Sequence, residues 1–228
     1  MMGLGARQAI FDYENGKGLA YGYRARRAAL FKSFVATHYA GVQRLSIVDF
    51  GGTETFWKSV GLDYLSEIGA SVTLVNLTAP DVERRDIFTA VAGDARSFTA
   101  KAPYDICFSN SCIEHVGQVA EMIRFRDAVR GAARGYFIQT PNFWFPIEPH
   151  FVMPGFHWLP KSAQAWLIRH VQMGHFPKVS SRLDSYALAE SCHLLTPRVF
   201  AELFDDAEIA RERAYGLTKS LIAMRGPV

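Results

Sequence analysis

Ser46-Ile-Val-Asp-Phe-Gly-Gly-Thr-Glu-Thr-Phe-Trp57 is the stretch from which the fold can be read. Ile47 to Phe50 is a short apolar run interrupted only by Asp49, the pattern of a strand buried on both faces. Gly51 and Gly52 follow at once, ahead of a helix-compatible segment that begins near Glu54. In an open α/β sheet such a turn is where backbone and ligand can approach closely, because no Cβ stands between them. A glycine pair after a strand is also an ordinary tight turn, so the reading depends on the strand ends further along.

Four more strand-like runs follow. Ser71 to Leu77 stops before Thr78-Ala-Pro80, Phe88 to Ala92 ends at Gly93-Asp94, Tyr104 to Phe108 ends at Ser109-Asn110-Ser111, and Tyr136 to Gln139 is closed by Thr140-Pro141-Asn142. A helix is expected through Trp57, Val60, Leu62 and Leu65 to Gly69. Another is expected within Gln118 to Arg134, where Val119, Met122, Phe125 and Val129 form one apolar stripe, with Gly135 as its terminator. Strands alternating with helices imply parallel pairing through right-handed crossovers, hence an α/β sheet covered on both sides. Before this core, residues 1–44 read as a helical segment carrying Tyr13, Tyr21 and Tyr23. After it, residues 143–180 form an insertion rich in aromatic residues and proline, with a helix from about Ser162 to Met173. A helix near Pro197 to Phe204 and strands near Glu208 to Tyr215 and Ser220 to Met224 complete a single domain.

Composition sets the outer bounds. The 228 residues are enough for one α/β domain with a full core, and 49% hydrophobic with 21% charged is ordinary for a globular protein. No apolar run reaches the roughly 18 to 20 residues of a membrane helix, and Met1 to Tyr13 lacks the apolar core of a secretory signal. A net charge of +3 is too small to argue for nucleic acid; the Arg24, Arg26, Arg27 cluster reads as a solvated helix face. Cys107, Cys112 and Cys192 make no disulfide framework, and reduced thiols in a cytoplasmic setting are expected. Cys107 and Cys112 read as buried structural thiols.

Read together, the strand ends form a set, since ligands of open parallel sheets lie outside their carboxyl ends. Asp49, Gly51, Gly52 and Thr53 follow the first strand, Asn76 and Leu77 end the second, Gly93, Asp94 and Ala95 follow the third, and Ser109 and Asn110 follow the fourth, with Glu114 and His115 just beyond. This order resembles the class I S-adenosylmethionine-dependent methyltransferases, in particular the methyltransferase type 11 or ubiquinone-biosynthesis-like subgroup. The resemblance covers about Ser46 to Asn142, with a weaker echo in Leu217 to Arg225. Its most specific pieces are Asp49-Phe-Gly-Gly-Thr53, Ala92-Gly-Asp-Ala95 and Phe108-Ser-Asn-Ser-Cys-Ile-Glu-His-Val116.

The resemblance implies a Rossmann-like, mostly parallel sheet with an antiparallel C-terminal strand and S-adenosyl-L-methionine as cofactor. It puts Gly51 and Gly52 against the methionine end of that cofactor, with Asp49 and Thr53 in the same loop. Asn76, beside Leu77, stands where most members have an acidic residue for the ribose hydroxyls; an amide can donate to one hydroxyl and accept from the other. Asp94 would accept from the adenine amino group, the Ala95 amide would donate to the ring after Gly93, and Phe108 to Asn110 would line the floor. Thr53 and Thr55 depart from the glycines of many members. A dinucleotide fits less well: the loop is not GxGxxG, and Glu54 at the helix start opposes a pyrophosphate.

A methyl group on positive sulfur needs little covalent machinery, so alignment, exclusion of water and a proton acceptor are the protein's tasks. His115, at the mouth, and His150, in the proline-stiffened loop after the fifth strand, are the candidate catalytic residues, with Glu148 and His157 as further bases. Packing roles for both histidines stay open. Glu148, His150, His157 and His170 have no HxH or HxxxH spacing, so no metal is expected. The aromatic residues from Phe143 to Trp158 form either a greasy acceptor pocket or lid, or a satellite core. The expected activity is methyl transfer to oxygen or nitrogen of a small-molecule acceptor, without nucleic-acid or membrane partners; no oligomeric state is read from the sequence. The alternative is a catalytically silent module that binds the same cofactor or a partner protein.

Overall fold

A computed structural model describes residues 19–174, 176 and 178–228. Tyr13 and the side chain of Tyr21 lie outside the described residues. In chain order the elements are α1 (Leu19–His38), β1 (Ser46–Phe50), α2 (Glu54–Val60), α3 (Leu62–Glu67), β2 (Ser71–Asn76), β3 (Phe88–Ala92), β4 (Tyr104–Asn110), α4 (Val119–Ala132) and β5 (Ala133–Pro141). A short hairpin of β6 (Ile147–Glu148) and β7 (Met153–Pro154) follows, then α5 (Lys161–His170), α6 (Arg182–Glu190), α7 (Pro197–Leu203), β8 (Glu208–Ala214) and β9 (Leu217–Arg225).

Among the described residues, seven strands form one sheet in the order β3-β2-β1-β4-β5-β9-β8. β1, β2, β3, β4 and β5 pair in parallel, while β9 runs antiparallel to both β5 and β8. The chain starts in the middle of the sheet and winds outward first to one side and then to the other, so the order reverses between β1 and β4. At that reversal the connections leave the sheet in opposite directions and open a crevice at the carboxyl ends.

The period-two alternation of β1 divides the core. Ile47 joins Phe31, Trp57, Phe108 and Phe137 on the face covered by α1, α2 and α3. Val48 and Phe50 join Phe125, Val129, Tyr136, Phe200 and Phe204 on the face covered by α4 and α7. Phe31 sits edge-on to Trp57, Phe108 and Phe137 with ring centroids 5.3–5.5 Å apart, the separation at which aromatic quadrupoles attract.

Four expectations are corrected. The helix expected from Trp57 to Gly69 is two, because Gly61 adopts φ 105° and its amide closes α2 on the Trp57 carbonyl. Gly135 does not terminate α4: it lies inside β5, where a Cβ would sit 2.2 Å from Tyr39 Oη and 2.6 Å from the Arg225 carbonyl oxygen. Strict strand-helix alternation fails at β2-β3 and β3-β4, whose crossovers contain no helix. Arg27 is not part of a solvated face: it is 6% exposed and paired with Glu212.

Residues 182–190, the helix α6, also pack onto the insertion formed by residues 143–180. The Ser181 hydroxyl caps α6 by accepting from the Asp184 amide, and Ala189 of α6 completes a separate apolar cluster with Phe151, Phe156, Ile168 and Met173. Among the described residues no helix is long and apolar enough to cross a membrane.

Candidate active site

Asp49 is fully buried at the end of β1. Its Oδ2 accepts from Trp57 Nε1 at 2.8 Å, and its Oδ1 is buried without a partner. Burial pushes the carboxyl up to about 7, only partly opposed by the Trp57 bond. The two glycines are required by what they cover. Gly51 has φ 79°, and a Cβ there would lie 2.6 Å from Cys112 Sγ; a Cβ on Gly52 would lie 1.7 Å from Asp49 Oδ2. Thr53 starts α2 in extended conformation (φ −135°) with no side-chain cap.

Neighbouring strand ends are tied to this turn. Gly51 N–H donates to the Val75 carbonyl (2.9 Å), Asn76 Nδ2 donates to the Gly52 carbonyl (2.7 Å), and Gly93 N–H donates to the Asn76 carbonyl (2.7 Å). Ser109 Oγ donates to the Phe50 carbonyl at 2.8 Å, just past the last β1-β4 ladder pair, Asp49 with Phe108. The hydroxyl thus serves a backbone acceptor left over where the strands part. Asn110 Oδ1 accepts from Arg27, which also bonds Glu212 at 2.9 Å. A cavity of about 110 Å³ opens over the turn, lined by Asp49, Gly51, Gly52, Thr53, Asn110 and Arg24 of α1 among others.

Asn76, Leu77, Gly93, Asp94 and Ala95 do not line that cavity; they continue along the same sheet edge, toward β2 and β3. Leu77 is 78% exposed. Both carboxylate oxygens of Asp94 are held by the Arg96 guanidinium, at 2.5 Å for the shortest contact, which pulls the Asp94 carboxyl below its usual range. Glu54 is buried and turned away from the turn, its Oε1 accepting from the Glu83 and Arg84 amides.

A second group of side chains forms on the insertion side. Cys112, which meets Gly51, precedes the 3₁₀ turn Ile113–His115, so His115 is placed within about 11 Å of the glycine loop by chain length alone. His115 Nε2 faces His150 Nε2 at 3.0 Å; His115 Nδ1 is 3.1 Å from the Ser191 carbonyl, and His150 Nδ1 is 2.6 Å from Glu148 Oε1. Burial lowers the His150 pKa, but the Glu148 hydrogen bond and the Glu148 and Glu114 charges outweigh it, and the net direction is upward. Glu114 is fully buried, with Oε2 accepting from Thr140 and Oε1 without a partner. Burial raises its pKa above the ordinary value.

Beside this pair lies a cavity of about 180 Å³ whose walls include Phe143, Glu148, Phe151, Phe156 and Cys192. The aromatic insertion is therefore a small core and a pocket wall at once, while Trp144 and Trp158 are exposed. Two further histidines are engaged by backbone carbonyls. His157 Nε2 is bonded to the Phe143 carbonyl, and His170 is bonded to Trp166 and stacked on its ring. Burial raises all three thiols, Cys112 to about 12. Sequence reasoning missed Arg24 and Cys192. The first was hidden in a charge run, and no local signal ties Cys192 to residues 42 and 77 positions before it.

No family model matches the chain. An uncharacterized protein of Mycobacterium tuberculosis is 32% identical over 76 residues, covering 33% of this chain; the match spans only 25% of that protein's length. Similar solved structures agree over most of the chain. Magnesium protoporphyrin IX methyltransferase from Synechocystis with bound S-adenosylhomocysteine has a TM-score of 0.51 and 11% identity, covering 90% of this chain and 85% of its own. Burkholderia thailandensis 1,6-didemethyltoxoflavin N1-methyltransferase has a TM-score of 0.51 and 15% identity, covering 99% and 92%. A Rhodobacter sphaeroides protein assigned to the zinc-dependent alcohol dehydrogenases has a TM-score of 0.54 and 13% identity, covering 89% of each chain. At these identities the likeness fixes architecture and not reaction. The parallel sheet with its β9 antiparallel between β5 and β8, and the crevice at the β1/β4 reversal, give this chain the Rossmann-like fold of the class I methyltransferases.

Proposed function

We propose that this chain is an S-adenosylmethionine-dependent methyltransferase acting on oxygen or nitrogen of a small-molecule acceptor. The observation that carries the reading is Asp49 Oδ1, a fully buried carboxylate oxygen with no partner, set beneath two glycines that leave room for no side chain at the mouth of β1. A buried orphan acceptor is costly unless a ligand completes it, and the ammonium group of a methionine moiety is a donor of the right charge. The residues present therefore fit the cofactor's amino-acid end. Arg24, lining the same cavity, is placed to meet the carboxylate.

The adenosyl end would lie along the edge formed by Asn76, Leu77, Gly93, Asp94, Ala95 and Asn110. Asn76 keeps its Oδ1 for a ribose hydroxyl while its Nδ2 holds the Gly52 carbonyl. Asp94 must share its carboxylate between Arg96 and the adenine amino group, which four lone-pair sites allow. Ser109 holds the floor by fixing the Phe50 carbonyl. When bound, the cofactor supplies a methyl group already activated by positive sulfur. The chain aligns and desolvates the acceptor, which enters the cavity walled by the insertion, beside His115 and His150. Two of the similar structures were solved with S-adenosylhomocysteine bound, which supports the choice of cofactor.

The first test is thermal. S-adenosylhomocysteine at about 100 times its dissociation constant should add roughly 2.7 kcal/mol to stability, and NAD should add none. Preferential stabilisation by NAD overturns the assignment. Incubation with labelled methyl donor and an acceptor panel then separates an enzyme, which yields labelled small product, from a silent binding module, which shows only saturable binding.

A further inference from the structure

The two histidines that face each other are each committed on the far side of the ring. Ser191 offers only a carbonyl oxygen, so His115 Nδ1 must carry a proton to make its 3.1 Å contact. Glu148, 3% exposed and 2.6 Å away, likewise holds the proton on His150 Nδ1. Both Nε2 atoms are then left with lone pairs, and they point at each other across 3.0 Å. An electrophile belongs between them, either a proton or a metal cation.

The third donor decides between these. Cys192 Sγ packs against the same ring, 3.5 Å from His150 Nδ1 on its Glu148 side, and one ligand atom from each of His115, His150 and Cys192 lies within 4.8 Å of the other two. A shared proton has no use for a sulfur, whereas two imidazoles and a thiolate are a donor set for zinc. A tetrahedral ion with Zn–N of about 2.0–2.1 Å and Zn–S of about 2.3 Å places its nitrogens about 3.4 Å apart and nitrogen and sulfur about 3.6 Å apart. The imidazole pair is already within a few tenths of an ångström of that spacing. The Glu148-His150 contact is the carboxylate-histidine arrangement that fixes the tautomer of metal-ligating histidines.

We propose that His115, His150 and Cys192 bind one zinc-class divalent ion, the imidazoles through their facing Nε2 atoms and Cys192 through a sulfur that turns from the Nδ1 side of the His150 ring, next to the cavity that Glu148 and Cys192 help to wall. Binding exchanges the Cys192 S–H bond for a metal–sulfur bond and releases that proton to solvent. The acceptor class narrows accordingly, to small molecules that present a hydroxyl or thiol to the ion, because coordination weakens the O–H or S–H bond next to the cofactor crevice. This last step rests on the methyl-transfer reading; the ion's binding does not.

The test uses the full chain without a polyhistidine tag, stripped with chelator and titrated with Co²⁺ and then Zn²⁺. One Co²⁺ per chain is expected, with a thiolate-to-cobalt charge-transfer band and strong four-coordinate ligand-field bands that equimolar Zn²⁺ abolishes. Cys192→Ser should lose the charge-transfer band, His115→Ala should weaken Zn²⁺ binding at least about 100-fold, and Glu148→Gln should weaken it about 10- to 100-fold. Melting curves establish that each variant is folded; His115, exposed at the surface, carries the least risk. Absence of stoichiometric binding, absence of a thiolate band, or equal affinity in wild type and both ligand variants overturns the site and leaves a shared proton between the rings. S-adenosylhomocysteine binding, followed by calorimetry on Cys192→Ser, is expected to persist. Its failure in wild type would sink the methyl-donor reading without touching the metal result.

Discussion

Asp49→Asn separates two consequences of one buried carboxylate. The group is fully buried, and its pKa rises from 3.8 to about 7. A carboxyl that is harder to ionise in the folded state binds more protons there than in the unfolded chain between these two values. Stability from this group is therefore full below pH 3.8 and is lost as pH rises toward 7. At about 1.36 kcal/mol per pH unit, the span of about 3 units amounts to roughly 4 kcal/mol at pH 8. Asparagine has the same shape and can keep the Trp57 bond through its oxygen, so the ligand-free variant should be more stable than wild type at pH 8, by up to that amount, and nearly equal near pH 4. Cofactor binding should move the other way. An ammonium group beside Asp49 favours the ionised form, so wild-type affinity for S-adenosylhomocysteine should drop roughly tenfold for each pH unit below 7. The variant should bind about 10- to 150-fold more weakly at pH 8, the worth of about 1.5–3 kcal/mol for a hydrogen bond to a charged group, with a flat profile. Urea denaturation and calorimetry, each at several pH values, read the two effects. A variant that is less stable at pH 8 refutes the burial argument; one that binds as tightly as wild type with the same pH profile removes Asp49 from the site.

The Arg27-Glu212 pair, each side chain 6% exposed, joins α1 to β8 and carries Asn110 with it. Glu212→Gln should cost about 3–5 kcal/mol by leaving a buried guanidinium without its anion, and should make α1 an early site of limited proteolysis; a loss under about 1 kcal/mol contradicts this. Asp94→Ala should weaken S-adenosylhomocysteine by about 1–3 kcal/mol, whereas Arg96→Ala, which frees the carboxylate, should not weaken it. Isothermal titration on both variants decides, and an unchanged Asp94→Ala affinity takes that residue out of the adenine site. Gly135→Ala forces a Cβ against Tyr39 Oη and the Arg225 backbone, and is expected to destabilise by about 1–3 kcal/mol without altering β5 pairing; an unchanged melting temperature refutes the close contact.

The fold was legible because its signals are local. A buried parallel strand must be apolar on both faces, so β1, β2 and β4 stood out; turn chemistry marked the ends of β1 and β2 to within a residue, whereas β4 runs two residues past Phe108, through Ser109 and Asn110, which still pair with β5. What stayed hidden needed distance. Gly135 carries the same letter whether it stops a helix or admits a tyrosine hydroxyl and a neighbouring carbonyl, and only the β5-β9 pairing selects the second. Gly61 split a helix whose apolar period continues straight through it, since the stripe records which face is buried and not whether the axis bends. Arg27 lay in a charge run that mostly faces water; its anion arrives from 185 residues later.

The same distinction runs through the candidate site. Gly51, Asn76, Asp94 and Ser109 sit at successive strand ends, so their shared edge follows from the sheet order once the strands are known, but their hydrogen bonds do not. Ser109 spends its hydroxyl on Phe50, and Asp94 spends both oxygens on Arg96. The histidine cluster lies further from what a sequence can say, since His115, His150 and Cys192 come from three separate connections. A metal motif is recognisable when one helix or one knuckle supplies most of the ligands, because the backbone then fixes their spacing. Where the scaffold is a sheet edge, the spacing is set by which loops the insertion folds back across, and the observation that points to the proposed site is chemical: two imidazoles whose outer nitrogens are both engaged face each other across 3.0 Å, which calls for a proton or a cation between them.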